Sequence, residues 1–226
     1  MPIQQPTDSW WEKYLEVFPP SQTVYYADEA SATHIRTFSA DFIYGFLQTQ
    51  RYAKAVLSTT RNCGSQTMAD LLVDARLTHG WQVFERSDPL KIEAILDESL
   101  IHRATGGSDV LREQLIHLRM LNHHPEVSLF VLPFHAGFYP GVEDFVLCDS
   151  DSAESWTAFT EDSLEWTVKH THSSTVSKLF ELWSLARLHA LGKEETNAFL
   201  TRKIDQLSQG NVIELDTQTA PPMHYS

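Results

Sequence analysis

The spacing of apolar and polar positions changes along the chain, dividing it into a helical first half, a central stretch of strands and a helical close. Behind Asp8-Ser9, the residues Trp10, Trp11, Tyr14, Leu15 and Phe18 recur at helical spacing until Pro19-Pro20 stops them. No Gly or Pro interrupts Tyr25 to Thr37, and Ala27, Ala30, Ile35 and Phe38 fall on one helical face, so a second helix is expected there. Thr49 is placed to cap a helix carrying Tyr52, Ala53 and Val56, and Thr67 one carrying Met68, Leu71, Leu72 and Ala75. Ser108 opens a helix with Leu111, Leu115 and Leu118 on one stripe.

The central period is shorter. Lys91 to Leu96 is too brief an apolar run to fix its own period and is read as a strand. Val127 and Leu129 to Leu132, bounded by Pro125 and Pro133, form a buried strand, and Phe145–Cys148 and Trp156–Phe159 form two more between loops rich in Asp and Ser. Val176, Leu179, Phe180 and Trp183 then restore helical spacing, with Gly192 in the position of a residue just past a helix end. A last helix runs through Phe199, Leu200, Ile204 and Leu207, and the aperiodic Thr217–Ser226 reads as a mobile tail. The expected fold is α+β, mostly helical with a small central antiparallel β-sheet. Residues 1–22 are expected to form a linker-like helix, 23–210 the folded domain and 211–226 the tail.

Short blocks through the middle of the chain carry a resemblance. Gly45-Phe46-Leu47-Gln48-Thr49 and Tyr52-Ala53-Lys54-Ala55 are followed in order by Ala75-Arg76-Leu77, Leu96 to Leu100, Arg103, Gly106-Gly107, Gln114-Leu115, Val131-Leu132-Pro133, Gly137 and Phe145. In order and spacing these blocks resemble the uncharacterised C-terminal, sensor-like domain of bacterial Xre-type helix-turn-helix regulators. The resemblance implies a sensor half, and Met1 falls about where that family's interdomain linker lies, so the expectation is a chain without the DNA-binding head. Four positions depart from the family pattern. Tyr44 replaces a Pro, His79-Gly80 an Arg-Gln, Ile101-His102-Arg103 a Leu-Arg-Arg, and Phe159 the aromatic of a Tyr-x-Glu strand. The resemblance thus implies a retained scaffold with a rewritten site.

Composition narrows the function classes. Thirty Asp and Glu against seventeen Lys and Arg give a net charge of −13, a field that repels the phosphates on which nonspecific nucleic-acid affinity rests. No apolar run suits a membrane span and no basic-plus-apolar leader opens the chain, so neither nucleic acid nor membrane is an expected partner and the cytoplasm is the expected compartment. Cys63 and Cys148 form no metal-spaced pair, and His123-His124 and His170-Thr171-His172 lack the accompanying spacing of a zinc site. Nucleotide and nucleophile signatures are absent too; no metal or cofactor is expected.

The remaining candidates are polar residues inside or beside the blocks. Glu98 and His102, four apart, share a helix face and are the candidate acid/base pair, or else a structural ion pair. Gln48, Arg76, Asp97 and Arg103 are candidate ligand contacts, although Gln48 also fits a solvated helix start and Arg76 equally a snorkelling surface residue or a partner for an interior carboxylate. Tyr139 and Asp144 lie in a loop between two strands that suits either a cavity rim or an ordinary connection. Trp156 with Glu161 suggests an aromatic wall with a carboxylate, favouring cationic amino compounds. Two functions follow: a stand-alone module binding a small molecule, a protein partner or a second copy, or a biosynthetic enzyme recruited from the scaffold for acid/base chemistry such as ring closure on an amino-bearing metabolite. The module is preferred.

The charge generates a first prediction. The purified chain is expected to give no sequence-specific shift of duplex DNA at physiological salt, and a shift that survives competitor DNA would contradict it.

Overall fold

The computed structural model describes residues 9–59, 65–137, 141, 144–149, 156–160 and 167–209. Helix α1 (Pro20–Ser31) leads into β1 (His34–Ser39), and α2 (Gln50–Thr59) and α3 (Gln66–Phe84) cross back to β2 (Lys91–Asp97). The short α4 (Glu98–His102) and α5 (Ser108–Leu121) lead to β3 (Val127–Leu132). Then follow β4 (Phe145–Asp149), β5 (Trp156–Thr160), β6 (Val168–His170), α6 (Ser173–His189) and α7 (Lys193–Ser208). A 3-10 turn at Trp10–Tyr14 precedes α1, and another at Gly45–Leu47 precedes α2.

The six strands form one sheet in the order β3-β2-β1-β4-β5-β6. β1, β2 and β3 are parallel neighbours, whereas β1–β4, β4–β5 and β5–β6 are antiparallel. The fold is α+β as expected, but the sheet is mixed rather than antiparallel. The reason is connectivity: long helical crossovers return the chain to the same end of the sheet after β1 and β2, which parallel pairing requires.

The central strand β1 is also a correction, because it falls where the second helix was expected to continue. The helix ends at Ser31 and Ala32 is already extended. Asp149 fixes the start of the strand by accepting the amides of Thr33 and His34 at 2.9 and 2.7 Å on one carboxylate oxygen. The helix expected over Trp10 to Phe18 is only a 3-10 turn, Trp10–Tyr14, and Pro20 opens α1 instead of stopping a helix. Two smaller expectations fail. Ser65, not Thr67, caps α3 by accepting the Met68 amide, and Gly192 is the first residue of the α7 cap, its amide bonded to Glu195 Oε2 at 2.9 Å.

Alternation along the strands gives the sheet two apolar faces. Ile35, Ile92, Ala94, Leu129, Val131, Val146 and Phe159 face the cluster shared with α1, α2, α3, α5 and α7. Phe38, Ile95, Phe130, Phe145 and Leu147 face α6, which contributes Val176, Leu179 and Trp183. On that side Arg36 lies against the rings of Trp156, Phe180 and Trp183 and bonds Glu93 at 3.0 Å. A hydrogen bond from His34, followed by that of Arg36, holds the Glu93 pKa down at about 2 despite burial.

Strand β3 lies at one border of the sheet, where backbone groups need partners. Side chains supply them. Asn122, capping α5, accepts the Leu129 amide at 2.7 Å and donates to Asn197 Oδ1 and to the Lys193 carbonyl. Thr196 Oγ1 accepts the Val131 amide at 3.1 Å, and the Leu191 amide reaches the Val131 carbonyl at 2.8 Å. One buried amide therefore ties α5, β3 and α7. Asn122→Ala leaves the Leu129 amide without its acceptor and is expected to cost about 1–3 kcal/mol, read from urea unfolding; a loss below about 0.5 kcal/mol would contradict the clamp.

Candidate functional site

Most of the sequence-derived candidates gather at the C-terminal ends of β1 and β2. There β1 has a parallel neighbour on one side and an antiparallel one on the other, at the kind of strand end where open α/β sheets hold ligands. The loop Ala40–Tyr44 leaves β1 at this point. Asp144 Oδ1 accepts the amides of Ala40 and Asp41 at 2.6 and 3.2 Å. Gln48 Nε2 donates to the Ile43 carbonyl at 2.5 Å while its Oε1 accepts from Arg76 at 2.8 Å. Arg76 lies 5.8 Å from the Phe42 ring centroid. Behind Gln48, the buried Gln114 accepts the Thr49 amide and donates to the Leu47 carbonyl, both at 2.7 Å. Arg103 borders the group through Tyr52, whose hydroxyl pKa is raised by burial against the opposing charges of Arg103 and Arg76.

Asp97 ends β2 and caps α4, accepting the Ser99 amide at 2.9 Å. Glu98 and His102 do pair, Oε1 to Nε2 at 3.0 Å, as their four-residue spacing predicts. Each is also engaged elsewhere. Glu98 Oε2 accepts the Phe134 amide at 2.6 Å, and His102 Nδ1 lies 3.1 Å from Lys203 Nζ. The His102 side chain is 43% exposed and its ring stacks on Phe134. This pair fastens the turn after β3 and the flank of α7 and does not line the cavity described below. Trp156 lies elsewhere again. It pairs with Asp149 at the far end of β4, about 17 Å along the sheet from Asp144 by strand rise. Tyr139, Glu161, Cys63 and the C-terminal tail lie outside the described residues. Cys148 is buried under α1, and burial pushes its thiol pKa well up. Among the described residues no three His, Cys, Asp or Glu side chains converge as a metal site would need.

A second region was not legible in the sequence. The first 3-10 turn, the end of α1 and the end of α3 surround a cavity of about 330 Å³, walled by Trp10, Trp11, Glu29, Gln82, Arg86 and Asp88. Glu29 enters from α1 and is 4% exposed. Its Oε1 lies 2.6 Å from His79 Nε2 on α3, and its Oε2 accepts the hydroxyl of the buried Tyr25. Burial, followed by the charge of Glu29, raises the Tyr25 pKa well above its ordinary value, so the phenol stays a donor. The His79 ring stacks on Trp10 at 5.2 Å and meets Tyr26 and Phe46 edge-on. Tyr14 fixes the aromatic turn, its hydroxyl donating to Asp74 at 2.6 Å and bonding Thr78 at 2.7 Å. Arg86 closes the end of α1 by donating to the carbonyls of Glu29 and Ala30.

Glu29 and His79 are 50 residues apart, so no local spacing couples them. One signal was available. Three positions where the chain departs from the pattern it resembles meet at Tyr25: Tyr44, His79 and Phe159 have ring centroids 6.2, 6.3 and 5.1 Å away. Gly80 belongs to the same departure. A Cβ there would stand 3.2 Å from the Phe46 carbonyl oxygen, so α3 passes close to the turn that carries Phe46.

The buried carboxyl at the strand ends generates a pH prediction. Burial raises the Asp144 pKa from 3.8 to about 6, with the Ala40 and Asp41 amides opposing. A carboxyl that keeps its proton longer when folded contributes stability that is full below the unfolded pKa and is lost as pH rises through the folded one. Asp144→Asn keeps the acceptor for both amides and removes that titration. Its stability relative to the parent is expected to rise between about pH 4 and about pH 7 in urea titrations, and an equal difference at both would contradict the assignment.

Among curated proteins none matches this chain. Residues 22–202 match the family described as Domain of unknown function (DUF5753). That match takes in most of α1 through most of α7, the whole sheet and the cavity walls other than the Trp10–Tyr14 turn, so the chain belongs to this family.

Proposed function

We propose that the chain is a small-molecule-binding module whose ligand, an amino-bearing compound, enters the cavity beside Glu29. The observation that carries this reading is Glu29, which lines the cavity and is held from behind by Tyr25 and His79, with the departing residues Tyr44, His79 and Phe159 packed around Tyr25. A concave site with an aromatic wall and a few fixed polar groups is the usual form of a ligand pocket. Aromatic faces and carboxylates together favour a cationic amino group. The resemblance to the sensor half of Xre-type regulators supports a module that reports on a metabolite, and the charge of −13 supports one that does so without touching DNA itself.

A biosynthetic enzyme on this scaffold is the second reading, and one observation favours it. Glu29 lines the cavity and is paired with the buried His79 behind it, a carboxylate–imidazole couple of the kind a general base uses. Turnover of an amino-bearing substrate that is lost in His79→Gln, with binding retained, would establish it.

The binding reading is tested by thermal unfolding with a panel of amines and amino acids. A ligand at a hundredfold excess over its Kd stabilises by about 2.7 kcal/mol. For a chain of this size that raises Tm by about 5–10 °C. Trp11→Ala is expected to abolish the rise. A flat panel, or a rise unchanged in Trp11→Ala, would overturn the reading.

A further inference from the structure

The charged groups around the cavity are of both signs. Among its described lining residues Arg86 is the cation, and Glu29 and Asp88 are the carboxylates. They are not equivalent. Glu29 is already bonded to His79 through one oxygen and to Tyr25 through the other, and it forms part of the buried wall. Asp88 is exposed at the mouth. Arg86, half-buried, directs Nη1 and Nη2 to the Glu29 and Ala30 carbonyls, which anchors its guanidinium plane against the end of α1. A guanidinium has five N–H donors in a rigid fork, so an anchored Arg86 still presents donors whose planar geometry matches a carboxylate. A single residue separates Arg86 from Asp88 in the segment after α3, and both line the cavity, so its wall carries one positive and one negative group from the same short segment. Trp10 and Trp11 supply the apolar wall.

We infer that the ligand is a free α-amino acid with an apolar or aromatic side chain. This rests on the binding reading above and deepens it by adding a carboxylate. In an α-amino acid the ammonium and the carboxylate flank one carbon, which suits the adjacent Asp88 and Arg86, and the side chain lies along Trp10 and Trp11. A simple amine would meet Asp88 but bring its charge beside Arg86 with no carboxylate of its own to offset it. An acid without an ammonium would do the same beside Asp88. The cavity is complementary to the two charges together, and charge-assisted fork contacts supply the selectivity.

The test uses the full chain and three probes sharing one ring: L-phenylalanine, phenethylamine and 3-phenylpropanoate, titrated by calorimetry. L-Phenylalanine is expected to bind at least about tenfold more tightly than either of the others, the worth of one charged contact. Arg86→Lys should weaken L-phenylalanine about tenfold and leave phenethylamine unchanged. Asp88→Asn should weaken L-phenylalanine and phenethylamine but not 3-phenylpropanoate. If Arg86→Lys fails to fold, the order of the three probes on the parent chain decides. Phenethylamine binding as tightly as L-phenylalanine would overturn the amino-acid inference and leave the amino-compound reading standing. Silence of all three probes would overturn the inference as well, while the broader reading stands or falls on the amine and amino-acid panel and on Trp11→Ala.

Discussion

A carboxyl group inside a protein must be bonded, and meeting that demand at Glu29 organises much of this molecule. One oxygen takes the Tyr25 hydroxyl from the preceding turn of the same helix; the other takes His79 from a helix far along the chain. The pairing fixes the distance between α1 and α3. It also orients the imidazole, which presents a flat face to Trp10 and so seats the aromatic turn that forms the third wall of the cavity. Leaving any of these groups unpartnered would incur the full penalty of a buried polar atom, so the wall is held in a single arrangement.

The sheet reaches the same region from below. Phe159 of β5 packs on Tyr25, and Cys148 of β4 lies close enough for the charge of Glu29 to raise its pKa further. The mixed sheet therefore has two distinct ends. At one, the parallel strands finish against a loop held by Asp144, Gln48 and Arg76. The antiparallel half supports α1, which carries Glu29 to the cavity. The first region is built mainly of side chains bonded to backbone groups, as expected of residues that hold a loop, whereas the second surrounds open space.

Much of the fold was legible because strands and helices of this length state their period locally. β2, β3, β4 and β5 fall on their expected runs, and α2, α5, α6 and α7 on their expected stripes. β1 was hidden because its boundary carries no Gly or Pro and is set instead by Asp149, a residue more than a hundred positions away. Parallel pairing was hidden for a related reason, since it depends on where the crossover helices deliver the chain. The same contrast governs the site. Glu98 and His102 were visible because a helix turn joins them, and visibility at four residues is no measure of function. Glu29 and His79 meet only where α1 packs beside α3. What the sequence did offer was a set of exchanged residues, Tyr44, His79-Gly80 and Phe159, whose common neighbour could not be read until folded.

The missing side chain of Gly80 has a consequence for cavity width. Adding one carbon there would place it 3.2 Å from a backbone oxygen of the turn below, and α3 would have to rise by a few tenths of an ångström. His79 is the adjacent residue, so the same displacement would lengthen its contact with Glu29. The width of the cavity thus depends on a hydrogen atom on the far side of its wall. A chain bearing a larger residue at that position would have to find another spacing here, and with it a cavity of another size.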